Sequence, residues 1–198
     1  INDIKKTYLI NQLLNDELKF EWAHTRMVSD DPAKTLGKAP MEGMIGQQLN
    51  QITGQSTNHI MLITPYFVPT KQGAEELMQL AAKGIEIFIL TNSLEATNVA
   101  AVHAGYAKYR KDLLKSGIQL YEMKRFYSVS ETDKKLGVFS SSAGSLHAKT
   151  FAIDSERVFV GSFNFDPRSA NLNTELGFVI ESAKMAQQIE QAFKQTIP

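Results

Sequence analysis

The sequence predicts an α/β protein with a mixed, mostly parallel sheet flanked by helices on both faces. Apolar runs at 60–67 and 85–91 predict two strands, and the segment 75–82 between them has helical period and stops before Gly84. A predicted helix over 98–115, capped by Gly117, and a strand over 118–123 repeat this pattern. Because helical crossovers join parallel strands, these segments predict parallel pairing.

The N-terminal part predicts two more helices and another strand. Apolar residues at helical spacing predict an amphipathic helix over 3–19. We expect a strand over 20–28, a loop over 30–40 because of its Pro, Gly and Asp content, and a helix over about 41–51.

The C-terminal part begins with a long polar segment, 124–144, whose length is typical of a mobile or functional loop. Strands are predicted over 146–153 and 158–162, joined as a hairpin at 154–157. A further strand is predicted over 175–180, and a last helix over 183–195 closes the chain.

Composition narrows the class of protein. A chain of 198 residues with 43% apolar content can bury one sizeable core, so we expect a single domain over 1–198. Lys plus Arg and Asp plus Glu both number 21, and a net charge of zero argues against a dedicated nucleic-acid binder. No cysteine is present, which excludes disulfides and cysteine nucleophiles.

No apolar run approaches the ~20 residues that cross a bilayer, and the first residues do not resemble a signal peptide. The chain does not begin with Met. We therefore expect a fragment or a processed product.

The most informative cluster is the HxKxxxxD motif at 147–154, followed by Gly161-Ser162-x-Asn164 and then Glu175. On a strand, His147 and Lys149 project from the same face and can reach one phosphate. His147 can attack phosphorus, while Lys149 and Asn164 supply donors to the non-bridging oxygens. This chemistry needs no metal or other cofactor, and we expect none.

Each of these residues also has a structural interpretation. His147 and Lys149 could be outward polar residues of a half-exposed strand, and Glu175 could be a surface residue. Asp154 begins a turn, where its carboxylate would cap backbone N–H groups. Ser162 and Asn164 could be turn formers after a strand.

These motifs resemble the signature of the phospholipase D superfamily, which consists of HxKxxxxD, GSxN and a downstream Glu. More narrowly, roughly residues 20–195 resemble the C-terminal half of bacterial cardiolipin synthase-like proteins, through segments 64–69, 91–97, 102–106, 109–110 and 163–173. Asn98 departs from the pattern, because that position is usually Asp. The resemblance implies the α-β-α sandwich of the superfamily.

The resemblance also implies roles for individual residues. His147 would form a phosphohistidine, Glu175 would orient its ring, and the phosphate would be bound by His147, Lys149, Ser162 and Asn164. Asp154 is counted with the catalytic set, although in the family it is more structural. Four further residues would lie at the site periphery: Tyr66, Phe67, Asn92 and His103. For three of them, Tyr66, Phe67 and His103, packing is an open alternative.

Only one motif copy is present. The other three of the four histidines, His24, His59 and His103, have no Lys two residues later. Attack on phosphorus and protonation of the leaving group from the opposite side require two groups, so a second half is expected. It would come from the rest of a longer chain, which we favour, or from a second copy across a two-fold axis.

We therefore expect a phosphatidyltransferase or phosphodiesterase that makes cardiolipin from phospholipids. Its expected partners are a phospholipid substrate, a membrane surface and the second half, with no nucleic acid, and its expected place is the bacterial cell envelope, peripheral to a membrane. An apolar stretch at 126–129 beside Lys124 and Arg125 suggests membrane contact. The alternatives are a hydrolase or nuclease of the same superfamily, and a non-catalytic domain that binds phosphate and completes another half's site.

Overall fold

A computed structural model describes residues 8–18, 20–124 and 145–197, whose strands form one sheet. The strands are β1 His24–Ser29, β2 His59–Ile63, β3 Glu86–Asn92, β4 Gln119–Met123, β5 Thr150–Ile153, β6 Arg157–Gly161 and β7 Leu176–Glu181. The α-helices are α1 Tyr8–Leu14, α2 Ile45–Thr53, α3 Lys71–Ala82, α4 Ala100–Lys115, α5 Pro167–Asn171 and α6 Ala183–Thr196. Two 3₁₀ helices span Pro32–Leu36 and Met41–Gly43.

The sheet has the strand order β1-β7-β6-β5-β2-β3-β4. The mixed α/β class is confirmed, but parallel pairing is less extensive than expected. Only β2–β3 and β3–β4 pair in parallel, while the other four neighbouring pairs are antiparallel. The turn between β5 and β6 is too short to join parallel strands, so these two strands pair antiparallel.

Helices cover both faces of the sheet, as expected. Along β2, Ile60 and Leu62 belong to the larger core together with residues of α2, α3 and α4. Met61 and Ile63 point to the other face, where they pack in a cluster with Phe193 of α6. The two-residue period of the strand therefore distributes its apolar side chains between two layers.

Most predicted elements are present with shifted ends. The predicted strand over 20–28 begins only at His24, and the predicted helix over 41–51 divides into the short 3₁₀ turn and α2. The 3₁₀ helix Pro32–Leu36 and α5 were not predicted. The long segment 125–144, including the apolar stretch at 126–129, lies outside the described residues.

Local sequence explains where the helices near the site begin. Asp166 accepts hydrogen bonds from the backbone N–H groups of Arg168 and Ser169, and Pro167 occupies the first position of α5. Thr70 and Ser182 cap α3 and α6 in the same way. Among the described helices, none is long and apolar enough to span a bilayer.

Candidate active site

His147 lies just before β5, at the edge of the sheet where β2 and β3 end. Its side chain is exposed and lines a cavity of about 300 Å³. The cavity is also lined by residues that follow β2 and β3, including Pro65, Tyr66 and Ala96. This is the edge at which open α/β sheets place their ligands.

Asn92 fixes the backbone immediately before His147. The Asn92 side chain is buried; its Oδ1 accepts from the Leu146 N–H at 2.9 Å, and its Nδ2 donates to the Leu146 carbonyl at 3.2 Å. Nδ2 also donates to the Pro65 carbonyl at 3.3 Å. Asn92 was expected at the periphery, and it joins the end of β3 to the segment that carries His147.

The other three peripheral candidates are placed differently. Tyr66 lines the cavity, and its hydroxyl donates to Asn98 Oδ1 at 2.5 Å. Phe67 is buried in the main core, edge-on to Tyr106. His103 also contacts Tyr106 edge-on, and its Nε2 lies 3.8 Å from Glu122. Phe67 and His103 are not among the described residues that line the cavity, which favours the packing interpretation for both.

Lys149 is partly buried beside two carboxylates. Its Nζ donates to the His147 carbonyl at 2.9 Å. Burial lowers the pKa of Lys149, and the nearby charges of Glu175 and Asp166 act in the opposite direction. The ammonium therefore lies close to His147, in a position where a phosphate oxygen could replace the carbonyl as its acceptor.

Glu175 is buried immediately before β7 and accepts several hydrogen bonds. Ser162 Oγ donates to its Oε2 at 2.5 Å, and Ser169 Oγ donates to its Oε1 at 2.9 Å. Asn173 Nδ2 is a third donor, at 3.3 Å. Among the described residues, no hydrogen bond joins Glu175 to the His147 ring, so the expected orienting contact is not formed in this structure.

Ser162 is oriented away from the role predicted for it. Its hydroxyl proton is donated to Glu175, and its oxygen accepts from the Leu176 N–H at 3.1 Å. With its proton used by a carboxylate, Ser162 has no donor left for phosphate. The structure instead favours a role in which Ser162 holds the Glu175 carboxylate.

Asn164 carries an unsatisfied polar atom. Its Oδ1 is buried and, within the part of the chain that the structure describes, has no hydrogen-bond partner. A buried polar atom without a partner is unfavourable by about 1–3 kcal/mol, unless a ligand supplies one. Because the amide oxygen and nitrogen exchange places by a simple flip, this position can present an N–H donor to phosphate.

Asp154 lies at the opposite end of β5 from His147. Its carboxylate accepts from the backbone N–H groups of Thr57, Asn58 and His59 and from the Ser56 hydroxyl. Burial alone would raise the pKa of Asp154, but these hydrogen bonds lower it to about 2. Asp154 adopts φ 54°, the left-handed turn conformation that Asp tolerates. This placement favours the turn interpretation over a catalytic one.

A larger cavity of about 860 Å³ lies between α2 and α3. Phe163 and Phe165 line it, and Asn164 stands between them in sequence. Phe67 and Val68 also line it, whereas Pro65 and Tyr66 line the smaller cavity. The two cavities are therefore lined by consecutive parts of one segment, which places apolar space next to the phosphate-binding candidates.

Ser169 was not identified as a site residue from the sequence. It is buried, donates to Glu175 and accepts from the Asn164 N–H at 3.3 Å. The Asp166-Pro167 pair is a helix-start signal that could have predicted α5 and placed Ser169 in its first turn. No sequence pattern, however, indicates that the Ser169 hydroxyl points toward Glu175.

Comparison with known proteins supplies the family. The family described as "Cardiolipin synthase, PLD-like domain" matches residues 49–197. Cardiolipin synthase C of Escherichia coli K12 is 49% identical over 196 residues, which are 99% of this chain and 41% of that protein. Cardiolipin synthase A of Klebsiella pneumoniae is 28% identical over 144 residues, covering 72% of this chain and 25% of that protein. The chain thus spans less than half the length of these curated relatives.

Solved structures support the fold. Nuc from Salmonella typhimurium, a phospholipase D family member, is 18% identical and has a TM-score of 0.59, with 88% of this chain and 94% of that chain covered. Phosphatidylserine synthase of Haemophilus influenzae is 16% identical with a TM-score of 0.60, covering 86% and 38%. The family match extends over most of the chain and includes His147, Lys149, Asn164 and Glu175, so the chain belongs to the cardiolipin synthase family of phospholipase D-like domains.

Proposed function

We propose that this chain carries one half of the active site of a phosphatidyltransferase that makes cardiolipin or a related lipid through a phosphohistidine at His147. The observation that supports this most strongly is the placement of His147. Its exposed ring lines a cavity, the Lys149 ammonium lies beside its carbonyl, and Asn164 has an unpaired polar atom.

In the first step, a ring nitrogen of His147 attacks the phosphorus of the donor lipid. A P–N bond forms and the P–O bond to the head-group alcohol breaks. Lys149 and Asn164 stabilise the negative charge on the non-bridging oxygens, which is the part of the reaction where preorganised donors contribute most. The departing alkoxide takes up a proton from an acid on the opposite side.

In the second step, an acceptor hydroxyl attacks the phosphorus, the P–N bond breaks, and His147 is released. The acceptor's proton passes to the group that protonated the alkoxide in the first step. Water can replace the acceptor, in which case the product is that of a phospholipase. Exclusion of water from the cavity therefore decides between transfer and hydrolysis.

The group on the opposite side would come from a second motif-bearing half. The sequence holds one HxKxxxxD motif. The chain matches only 41% of the length of cardiolipin synthase C of Escherichia coli. That proportion leaves room in such a protein for another unit of similar size. We propose that this half lies in the same longer polypeptide, and that a second copy of this chain is the alternative source.

A lipid substrate is favoured over nucleic acid by two features. The large cavity beside the Asn164 segment has apolar side chains in its lining, including Phe163 and Phe165, together with polar side chains of α2 and α3, and the chain has no net charge. Binding to a nucleic-acid backbone is favoured by an excess of Lys and Arg, which this composition lacks. The proposed place of action is therefore the surface of a bacterial membrane, to which the protein would bind peripherally.

The test is product analysis with the full-length protein and mixed phospholipid vesicles. Wild type is expected to form a lipid with two phosphatidyl groups, and His147→Gln to form none. A second sample with duplex DNA distinguishes the nuclease. Formation of phosphatidic acid alone would show a hydrolase instead of a transferase. Cleavage of DNA without lipid turnover would show a nuclease. Full turnover by His147→Gln would assign this chain a non-catalytic role.

A further inference from the structure

The most deeply buried charges among the described residues lie outside the predicted motif. Lys34 Nζ is 2.7 Å from Asp30 Oδ2, and both side chains have 0% exposure. Lys34 belongs to the 3₁₀ helix Pro32–Leu36, and Asp30 follows β1 directly. The sequence predicts only a loop for both residues.

Asp30 is bonded to the backbone of Glu175 in both directions. The Asp30 N–H donates to the Glu175 carbonyl at 2.9 Å, and the Glu175 N–H donates to Asp30 Oδ2 at 2.8 Å. Asp30 Oδ1 accepts from the Ile45 N–H at 2.8 Å, at the start of α2. The Asp30 carboxylate thus determines where the main chain of Glu175 lies.

Lys34 reaches the same site from another direction. Its Nζ donates to the Ser169 carbonyl at 2.7 Å. The Ser169 hydroxyl in turn donates to Glu175 Oε1 at 2.9 Å and accepts from the Asn164 N–H at 3.3 Å. One ion pair therefore determines the positions of the Glu175 main chain and of the residue that bonds both Glu175 and Asn164.

Stability alone does not explain why this pair is charged. Removing two charges from water is unfavourable by several kcal/mol per ion, and replacing a buried pair by apolar residues is often neutral or stabilising. What an apolar pair cannot provide is hydrogen bonding to the Glu175 N–H and the Ser169 carbonyl at fixed positions. The pair also precedes residue 49, where the family match begins.

We infer that Asp30 and Lys34 are positioning residues of the active site, which hold Glu175 and the Asn164 segment in the geometry that phosphoryl transfer requires. This inference rests on the proposed function. No hydrogen bond or ion pair joins either residue to His147 in the described part of the chain, so both would act through Glu175 and Ser169. Misplacement of a catalytic geometry by about 1 Å can lower a rate about 10²-fold.

The test is the double variant Asp30→Asn, Lys34→Met in the full-length protein. The introduced asparagine keeps one carbonyl oxygen and cannot accept from both Ile45 and Glu175, while the introduced methionine preserves volume without a donor. We expect a folded protein in which kcat falls about 10- to 100-fold and KM changes less than about twofold. A pair that only stabilised the fold would leave the kcat of the folded fraction unchanged.

A second readout does not depend on lipid turnover. Lys149 faces the carboxylates of Glu175 and Asp166, whose charges raise its pKa against the effect of burial. Displacement of Glu175 in the double variant should therefore lower the pKa of Lys149, which NMR titration of ¹³C-labelled lysine measures. The alkaline limb of the kcat/KM profile, which reports on the free enzyme, should also move to lower pH.

The matched control is a second pair of ionisable side chains, at the end of β2 that lies away from the candidate active site. His59 Nε2 lies 2.8 Å from Glu190 Oε1, and the Glu190 side chain is 8% exposed. Glu190→Gln should reduce thermal stability and leave both kcat and the Lys149 titration unchanged. This comparison separates loss of a buried pair in general from loss of this pair.

The outcomes are distinct. A folded double variant with wild-type kcat and an unchanged Lys149 titration overturns the inference. If the double variant does not fold, Ser169→Ala replaces it, because it removes the hydroxyl link to Glu175 through which Lys34 would act and leaves the Asp30–Lys34 pair intact; wild-type values in both readouts would then overturn the inference for Lys34. Absence of lipid turnover in wild type counts against the proposed function alone, since the Lys149 titration still reports on the pair.

Discussion

Ser162 Oγ donates a hydrogen bond of 2.5 Å to Glu175 Oε2, which joins the first residue after β6 to the residue before β7. The same hydroxyl accepts from the Leu176 N–H. Ser162→Ala removes both interactions and leaves a buried carboxylate short of one donor. We expect a loss of about 1–3 kcal/mol in unfolding free energy and about 10-fold in kcat.

Ser116→Ala is the matched control, because the Ser116 hydroxyl also forms a partly buried hydrogen bond, to the Leu113 carbonyl at the end of α4. It should lose stability without losing rate. Chemical denaturation and steady-state kinetics on both variants measure the difference. A Ser162→Ala enzyme with wild-type kcat would show that the Glu175 carboxylate keeps its place without Ser162.

Lys149→Ala should leave the fold intact and lower the rate by on the order of 10² or more. The ammonium contributes a donor near His147, whereas its removal leaves only a small apolar side chain at the edge of the sheet. Lys71→Ala, which removes an exposed lysine paired with Glu75, is the control and should have wild-type activity. Circular dichroism with kinetics tests this, and gross unfolding of Lys149→Ala would contradict it.

Asp154→Asn should reduce stability rather than rate. The pKa of Asp154 is lowered from 3.8 to about 2, so its charged form stabilises the fold by about 2 kcal/mol above about pH 4. Because the folded-state pKa is the lower one, this contribution is lost as pH falls from about 4 to about 2. The stability difference between wild type and Asp154→Asn should shrink over the same interval, as measured by urea denaturation.

The rate of Asp154→Asn under conditions where it is fully folded distinguishes the two roles. Near-wild-type kcat at neutral pH would agree with a turn residue at the far end of β5. A fall on the order of 10²-fold or more in a folded variant would return Asp154 to the catalytic set.

Gly161→Ala should disturb the strand pair that carries Ser162. A Cβ at Gly161 would lie 2.6 Å from the Leu176 carbonyl oxygen and 2.8 Å from Gly177 Cα, and these backbone atoms cannot rotate away. We expect a loss of about 1–3 kcal/mol. Gly46→Ala in α2, whose nearest neighbour would be 3.9 Å away, should instead be neutral or stabilising by about 0.5–1 kcal/mol. Melting temperatures that rank the two variants in the opposite order would contradict this packing argument.

Many helices and strands could be predicted, because the periodic spacing of apolar residues can be read from the local sequence. The apolar runs at β2 and β3 and the glycines after α3 and α4 mark the parallel part of the sheet, and Gly84 and Gly117 adopt φ 90°, as helix-ending glycines do. The pairing of β5 with β2 could not be predicted in the same way. It joins residues about 90 positions apart, and no local pattern specifies which strand edge a hairpin will meet.

Candidate site residues could be predicted where the chemistry is contained in the motif, but contacts that depend on the tertiary fold could not. His147, Lys149 and Asn164 were identified from residue type and spacing. Asp30 and Lys34 have the i, i+4 spacing of many surface pairs. Here the pair is buried, and Lys34 also donates to the carbonyl of Ser169, which lies 135 positions later in the chain. Ser162 was predicted to bind phosphate because its hydroxyl can do so, whereas the fold directs that hydroxyl to Glu175.

The central claim is that His147 is the nucleophile, and the most direct test is to identify the residue that carries the phosphatidyl group during turnover. The full-length protein would be mixed briefly with a ³²P-labelled phospholipid, quenched at alkaline pH to preserve P–N bonds, and digested for mass spectrometry. We predict a labelled adduct on His147 that is absent from His147→Gln and persists in Lys71→Ala. Label on a different residue, or product formation by His147→Gln at the wild-type rate, would contradict the account.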